Sequence, residues 1–92
     1  MHFVAVVMVS LDDPSVCLTA DDVRDALLRT ARAGDRVEHI RVRALPGEVR
    51  IGVLSLAGDR AETERSIRDL CGRAEASEPV LAGWTVVPDS VQ

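Results

Sequence analysis

The feature that most constrains this chain is an unbroken apolar run over residues 3–9, in which four of the seven residues are valine. The run is too short for a typical helix and is rich in β-branched side chains, so it predicts a strand. Because polar residues do not alternate with the apolar ones, both faces of this strand are expected to be covered. A second apolar run, over residues 49–56, is interrupted only by Arg50, Gly52 and Ser55. We expect the two runs to pair at the centre of one small sheet.

Two helices are predicted from capping patterns. Thr19 and Asp59 each stand three residues before an acidic residue, as is typical of helix N-termini. The apolar spacing that follows each cap predicts helices over residues 20–33 and 60–76. Gly34 is expected to end the first helix in a left-handed conformation.

Two further strands complete the pattern. Residues 36–44 alternate between apolar and polar side chains, which predicts a strand with one face in water. Pro46 and Gly47 are typical of a tight turn, so residues 36–56 are predicted to form a β-hairpin. The last strand is predicted over residues 80–87 and is expected to end at a proline.

The resulting order, β-α-β-β-α-β, predicts an α+β chain with a four-stranded antiparallel sheet in the strand order 4-1-3-2. This is the ferredoxin-like sandwich, in which both helices cover one face of the sheet. The order places the two apolar runs in the central strands and the alternating strand at an edge. Residues 1–88 are expected to form a single domain, and residues 89–92 a tail or the stub of a linker.

The predicted sheet has more apolar surface than two helices can cover. If the even-numbered residues of the first strand face the helices, the opposite face carries Phe3, Ala5, Val7 and Val9. An exposed apolar patch of several hundred Å^2 is typical of an interface. We therefore expect this face to be buried against a protein partner, and most simply against a second copy of the chain. The arrangement resembles dimeric α+β barrels, whose sheets pack face to face, and ACT-type domains, which bind small ligands where subunits meet.

Four residues are candidates for ligand binding. His39, Arg41 and Arg43 share one face of the second strand, where they could bind an anion and where His39 could act as an acid or base. The alternative is the ordinary polar face of an edge strand. Trp84, the single tryptophan, could anchor a partner or fill the core.

The two cysteines, Cys17 and Cys71, match no zinc or redox spacing, and we expect two reduced thiols. Cys17 precedes a predicted helix N-terminus, which would stabilise a thiolate, so it is a second candidate catalytic residue beside His39. No histidine lies close to it in sequence. Neither a metal site nor a cofactor is predicted.

The net charge is −4, which disfavours nucleic-acid binding because such binding depends on neutralising phosphates. A seven-residue apolar run without a basic leader indicates neither a membrane span nor export, so the sequence predicts a cytoplasmic protein. The function predicted is that of a small non-enzymatic interaction or regulatory module that forms a homodimer or docks a protein partner through its sheet. The alternatives are a small dimeric α+β barrel enzyme of small-molecule metabolism and an ACT-type ligand-sensing domain.

Overall fold

The computed structural model describes residues 2–56 and 58–87, and over these residues the elements follow the predicted order. The strands are β1 (His2–Ser10), β2 (Val37–Leu45), β3 (Glu48–Ser55) and β4 (Trp84–Val86), and the helices are α1 (Ala20–Thr30) and α2 (Arg60–Ser77). Short 3-10 turns follow the two helices, at Ala33–Asp35 and Pro79–Leu81.

The four strands form one antiparallel sheet in the order β2-β3-β1-β4. The α+β class and the predicted strand order are thereby confirmed, with the two apolar runs in the centre. The β1 register pairs Val4 with Val53 and Val6 with Ile51. Alternate side chains of the two central strands therefore lie on the same face of the sheet.

The core draws on both helices and on one face of the central strands. Its strand residues are Val4, Val6 and Met8 of β1 and Val49, Ile51 and Val53 of β3. Its helix residues are Val23, Ala26 and Leu27 of α1 and Ile67, Leu70, Cys71 and Ala74 of α2. Because side chains alternate along a strand, the odd-numbered residues of β1 and the even-numbered residues of β3 face away from this core.

Helix α1 is shorter than predicted and ends without the expected glycine cap. It stops at Thr30, and Ala31 is already extended. The left-handed residue of this connection is Arg36, with φ of 49°, and Gly34 lies inside the short turn before it. The Asp35 carboxylate closes this turn locally, because it accepts a 2.8 Å hydrogen bond from the Arg32 amide, and a 2.9 Å ion pair with Arg73 holds the turn against α2.

The two predicted caps differ in outcome. Asp59 caps α2, because its carboxylate accepts a 2.8 Å hydrogen bond from the Glu62 amide. Thr19 directly precedes α1, but its hydroxyl donates to the Asp22 carboxylate at 2.7 Å and caps no backbone amide. The predicted capping pair at α1 is therefore a bond between side chains.

Strand β4 covers three residues instead of the predicted eight. Pro79 begins a 3-10 turn that occupies the first part of the predicted strand, and Gly83 turns the chain with φ of 83°. Extended pairing with β1 begins only at Trp84. Residues 88–92, where a closing proline and a tail or linker stub were predicted, lie outside the described residues.

The tip of the β2–β3 hairpin is held against the loop that follows β1. Gly47 has φ of 71°, and its amide donates to the Val16 carbonyl at 2.7 Å while its own carbonyl accepts from the Ser10 amide at 3.0 Å. A Cβ atom at this position would lie 2.4 Å from the Pro14 carbonyl oxygen. These two backbone bonds tie the tip of the hairpin to Ser10 and to the loop after β1.

Candidate functional site

The candidate site is the sheet face turned away from the core, which we call the open face. Its side chains come from three strands. They are Phe3, Ala5, Val7 and Val9 of β1, Glu48, Arg50, Gly52 and Leu54 of β3, and His39, Arg41 and Arg43 of β2. The face therefore has an apolar half on β1 and a cationic half on β2, and β3 lies between them.

The apolar half is organised by Phe3, whose ring lies over Gly52. A Cβ atom built on Gly52 would meet Cζ of the ring at 2.6 Å and Cε2 at 2.8 Å. The glycine thus provides the space that the ring occupies, an arrangement that protects the backbone of a glycine within a strand. Phe3 is nevertheless 52% exposed. A large aromatic side chain in the middle of the sheet thus keeps about half of its surface in water.

The residues around Phe3 extend this apolar surface along the central strands. Leu54 pairs with Phe3 and is half-buried, Ala5 pairs with Gly52 and is exposed, and Val7 is half-buried. All four β1 residues predicted to form an interface lie on the open face. Whether a partner covers them stays a prediction.

Three arginines lie close together, two in the cationic half on β2 and one beside it on β3. Arg43 and Arg50 are paired directly across β2 and β3, and Arg41 follows on the same face. Arg50 forms a 2.8 Å ion pair with Glu48, whereas within the described part of the chain Arg41 and Arg43 have no ion-pair partner. Like charges directly opposite each other in a sheet are destabilising, so an anionic group at this position would be stabilising.

Two shallow hollows lie on the open face. The larger, of about 720 Å³, runs from Phe3 and Val7 across the middle of the sheet to Arg43 and Arg50. The smaller, of about 310 Å³, places His39 beside Phe3, Arg41 and Leu54. The second hollow combines an imidazole, a guanidinium and an aromatic ring, which is a chemistry suited to a small organic anion.

The other candidate residues lie away from this face. Trp84 is 5% exposed and belongs to the same buried core as Leu81 and the apolar residues of both helices. Cys71 is buried in α2, and burial together with the nearby Glu75 carboxylate raises the pKa of its thiol to about 12. Cys17 is exposed in the loop between β1 and α1, and its thiol donates to the Leu18 carbonyl at 3.7 Å.

The sequence patterns identified the cationic residues and the apolar face separately but did not relate them. Gly52 was only an interruption of an apolar run, and its role beneath the Phe3 ring depends on the β1–β3 register. No cluster of histidine, cysteine and acidic residues suited to a metal ion occurs among residues 2–56 and 58–87. Over the same residues, neither helix has the length and apolar character needed to cross a bilayer.

Comparison with known proteins identifies no relative: no family model, no curated protein and no solved structure matches this chain.

Proposed function

We propose that this chain is a ferredoxin-like interaction module, with both helices on the core face of the sheet, and that its open face packs against a second copy. The observation that carries the proposal is the Phe3 ring, 52% exposed on Gly52 at the centre of an apolar strip. Covering the exposed half of this ring is worth roughly 1 kcal/mol, and the neighbouring Ala5, Val7 and Leu54 add to it. A standard interface of about 800 Å^2 per partner would require most of the open face.

Charge restricts how two copies can meet. If each strand of one molecule lay over the equivalent strand of the other, Arg41 and Arg43 would face the same arginines of the second molecule, which is unfavourable. A two-fold axis parallel to the strands, between β1 and β3, avoids this contact. It places the apolar β1 over β3 of the second copy and the cationic β2 over β4, a short strand without arginine. The proposal is therefore an isologous dimer with its sheets face to face.

Sedimentation equilibrium of two arginine variants tests this dimer. The wild-type chain is expected to sediment at twice its monomer mass of 9.9 kDa. Ala5→Arg adds a cation to the centre of the open face, which already carries three arginines, and is expected to sediment as a monomer. Ala76→Arg places the same side chain at an exposed position of α2 and is expected to stay dimeric. A monomeric wild-type chain at about 100 µM, or an equally dimeric Ala5→Arg, would exclude the proposal.

A second candidate is favoured by the hollow that contains His39. A face-to-face dimer would roof this hollow, giving the enclosed pocket that a dimeric α+β barrel enzyme requires. His39 and Arg41 would then bind a small organic anion. Titration with a panel of small carboxylates, followed by the NMR signals of the His39 ring, tests this candidate. Shifts that saturate and disappear in Arg41→Gln support it, and an unresponsive His39 ring contradicts it.

A further inference from the structure

The two edges of the sheet differ in whether their backbone is accessible. At the β4 edge, the backbone groups of Thr85 and Val87 point toward β1, so the backbone amide of Val86 points away from the sheet. Glu75 of α2 occupies this edge, since its carboxylate accepts hydrogen bonds from the Val86 amide at 3.1 Å and from the Thr85 hydroxyl at 3.2 Å. The β4 edge is therefore closed to another strand by a side chain of the same chain.

The β2 edge is open. Leu45 and Glu48 close a two-residue hairpin and exchange both backbone hydrogen bonds. Because the pattern alternates along the strand, the backbone N–H and C=O groups of Arg43 and Arg41 also point toward β3. The backbone groups of Ile40, Val42 and Ala44 consequently point away from the sheet. Within the described part of the chain, no loop or side chain bonds to these outward groups. An unpaired row of this kind is a template for an added strand.

A groove runs beside this edge, between β2 and α1. It consists of two adjoining hollows of about 290 and 320 Å³ that share Arg24, His39 and Ile40. Its apolar lining includes Val42 and Leu28, which is 53% exposed on α1. Strand addition between an edge strand and a helix is a recurring mode of peptide recognition, in which backbone bonds supply affinity and alternate side chains supply specificity.

We propose that the β2 edge binds an extended peptide whose residues alternate between acidic and apolar. Side chains of an added strand fall alternately on the open face and on the α1 side. On the open face they meet His39, Arg41 and Arg43, which favours carboxylates. On the α1 side they enter the groove, where Leu28 and Val42 favour apolar residues. The Arg24 guanidinium in this groove is already paired with Asp21 at 3.3 Å.

A second copy of β2 does not fit this edge. Antiparallel pairing of two β2 strands centred on Val42 would place Arg41 of each chain beside Arg43 of the other, on one face of the sheet. Such pairs are destabilising. The edge thus has the charge of a receptor for a different, acidic segment, and the site is separate from the apolar strip proposed to form the dimer.

The test uses the full chain and fluorescein-labelled hexapeptides, followed by fluorescence anisotropy. The Glu-Val-Glu-Val-Glu-Val peptide is expected to bind, and the Lys-Val-Lys-Val-Lys-Val peptide is expected not to bind. Arg41→Glu is expected to lower the affinity for the acidic peptide about tenfold, because it turns an opposite-charge pair into a like-charge pair. Arg65→Glu, at an exposed position of α2, changes the net charge equally and is expected to leave the affinity unchanged.

Two N-methylated versions of the acidic peptide separate strand addition from charge attraction alone. One is methylated on the valine nitrogens and the other on the glutamate nitrogens, so only one of them has its edge-facing amides blocked. Loss of binding in one version and retention in the other is the expected result. Equal binding of both, or equal effects of Arg41→Glu and Arg65→Glu, overturns the proposal.

The dimer variant makes the two proposals distinguishable. Ala5 lies two strands away from the β2 edge, so Ala5→Arg is expected to bind the acidic peptide with unchanged affinity even when it no longer dimerises. A dimer that persists in Ala5→Arg and is dissolved by the acidic peptide would mean that a second copy occupies the edge, and it would overturn the peptide proposal.

Discussion

Asp35 and Arg73 form a 2.9 Å ion pair that joins the turn after α1 to the C-terminal half of α2, across 38 residues of sequence. The Asp35 side chain is only 8% exposed. Its carboxylate also accepts from the Arg32 amide at 2.8 Å and from the Ser66 hydroxyl at 2.7 Å, and its carbonyl accepts from the Ser55 hydroxyl at 2.7 Å. One aspartate thus connects the turn after α1 with α2 and with the end of β3.

Replacing Asp35 is expected to be strongly destabilising. Asp35→Asn removes the charge while keeping the shape, and it leaves the partly buried Arg73 with a weaker partner. We expect the free energy of unfolding to fall by about 2–3 kcal/mol in urea denaturation. Asp25→Asn, at an exposed position of α1, is the matched control and is expected to change stability by less than about 0.5 kcal/mol. Equal effects of the two substitutions would contradict the structural role of Asp35.

The same carboxylate predicts a pH dependence of stability. Burial by itself raises the pKa of Asp35, but the hydrogen bonds from Arg32, Ser66 and Arg73 outweigh burial, so the pKa lies below its ordinary value of 3.8. A lowered pKa in the folded state means that the stabilisation is present above pH 3.8 and is lost as the pH falls through the folded value. We expect the stability difference between wild type and Asp35→Asn to shrink below that pH. A difference that stays constant down to acid unfolding would disprove the linkage.

The contact between Phe3 and Gly52 predicts energetic coupling. Gly52→Ala puts a methyl group where the ring now lies, and the ring must move outward at a cost of about 1 kcal/mol. In a Phe3→Ala background the same substitution is expected to be neutral or stabilising, because alanine restricts the unfolded chain more than glycine does. A double-mutant cycle from urea denaturation should give a coupling of about 1 kcal/mol. Additive effects would show that the ring does not occupy this position.

Two glycines are expected to respond to alanine in opposite directions. Gly47→Ala combines a φ of 71° with a clash against the Pro14 backbone, and we expect it to destabilise the chain by about 2–4 kcal/mol. Gly72→Ala lies inside α2, where nothing is within 4 Å of the added Cβ atom, and we expect it to stabilise the chain by about 0.5–1 kcal/mol. Thermal unfolding of both variants measures the signs, and a shared sign would contradict these local environments.

The two thiols are expected to differ sharply in reactivity. Cys17 is exposed, whereas Cys71 is buried and the pKa of its thiol is raised to about 12. Since the thiolate is the reactive form, iodoacetamide at neutral pH should modify only Cys17 in the folded chain and both cysteines in urea. Mass spectrometry of wild type and Cys17→Ser checks this. Rapid modification of folded Cys17→Ser would show that Cys71 is accessible.

Much of the fold follows from short-range patterns. The valine-rich run 3–9 and the alternation in 36–44 predicted which strands are central and which lies at an edge, and the sheet has that order. The Pro46-Gly47 turn and the Asp59 cap were likewise predicted because each depends on residues close together in the chain. The end of α1 and the start of β4 were predicted wrongly. Asp35, which pairs with Arg73 across 38 residues, holds the turn after α1, and Pro79 begins a 3-10 turn where the strand was expected.

The candidate site was predicted only in its parts. Alternation along single strands placed Phe3, Ala5, Val7 and Val9 on one face, and His39, Arg41 and Arg43 on one side of β2. It could not show that these two sets share the open face, since that depends on the register of β1 and β2 against β3. The same register sets Arg43 opposite Arg50 and Phe3 over Gly52.

The amino-acid sequence by itself determined that β1 and β3 are the central strands and that Pro46 and Gly47 form the hairpin turn. Burial periodicity and backbone preference act over a few neighbouring residues, so both can be read from the sequence. Tertiary structure alone decided that Asp35 meets Arg73, that Glu75 closes one edge of the sheet and that the β2 edge stays open beside α1. These contacts join residues that are distant in the chain, and only packing of the helices on the strands brings them within bonding distance.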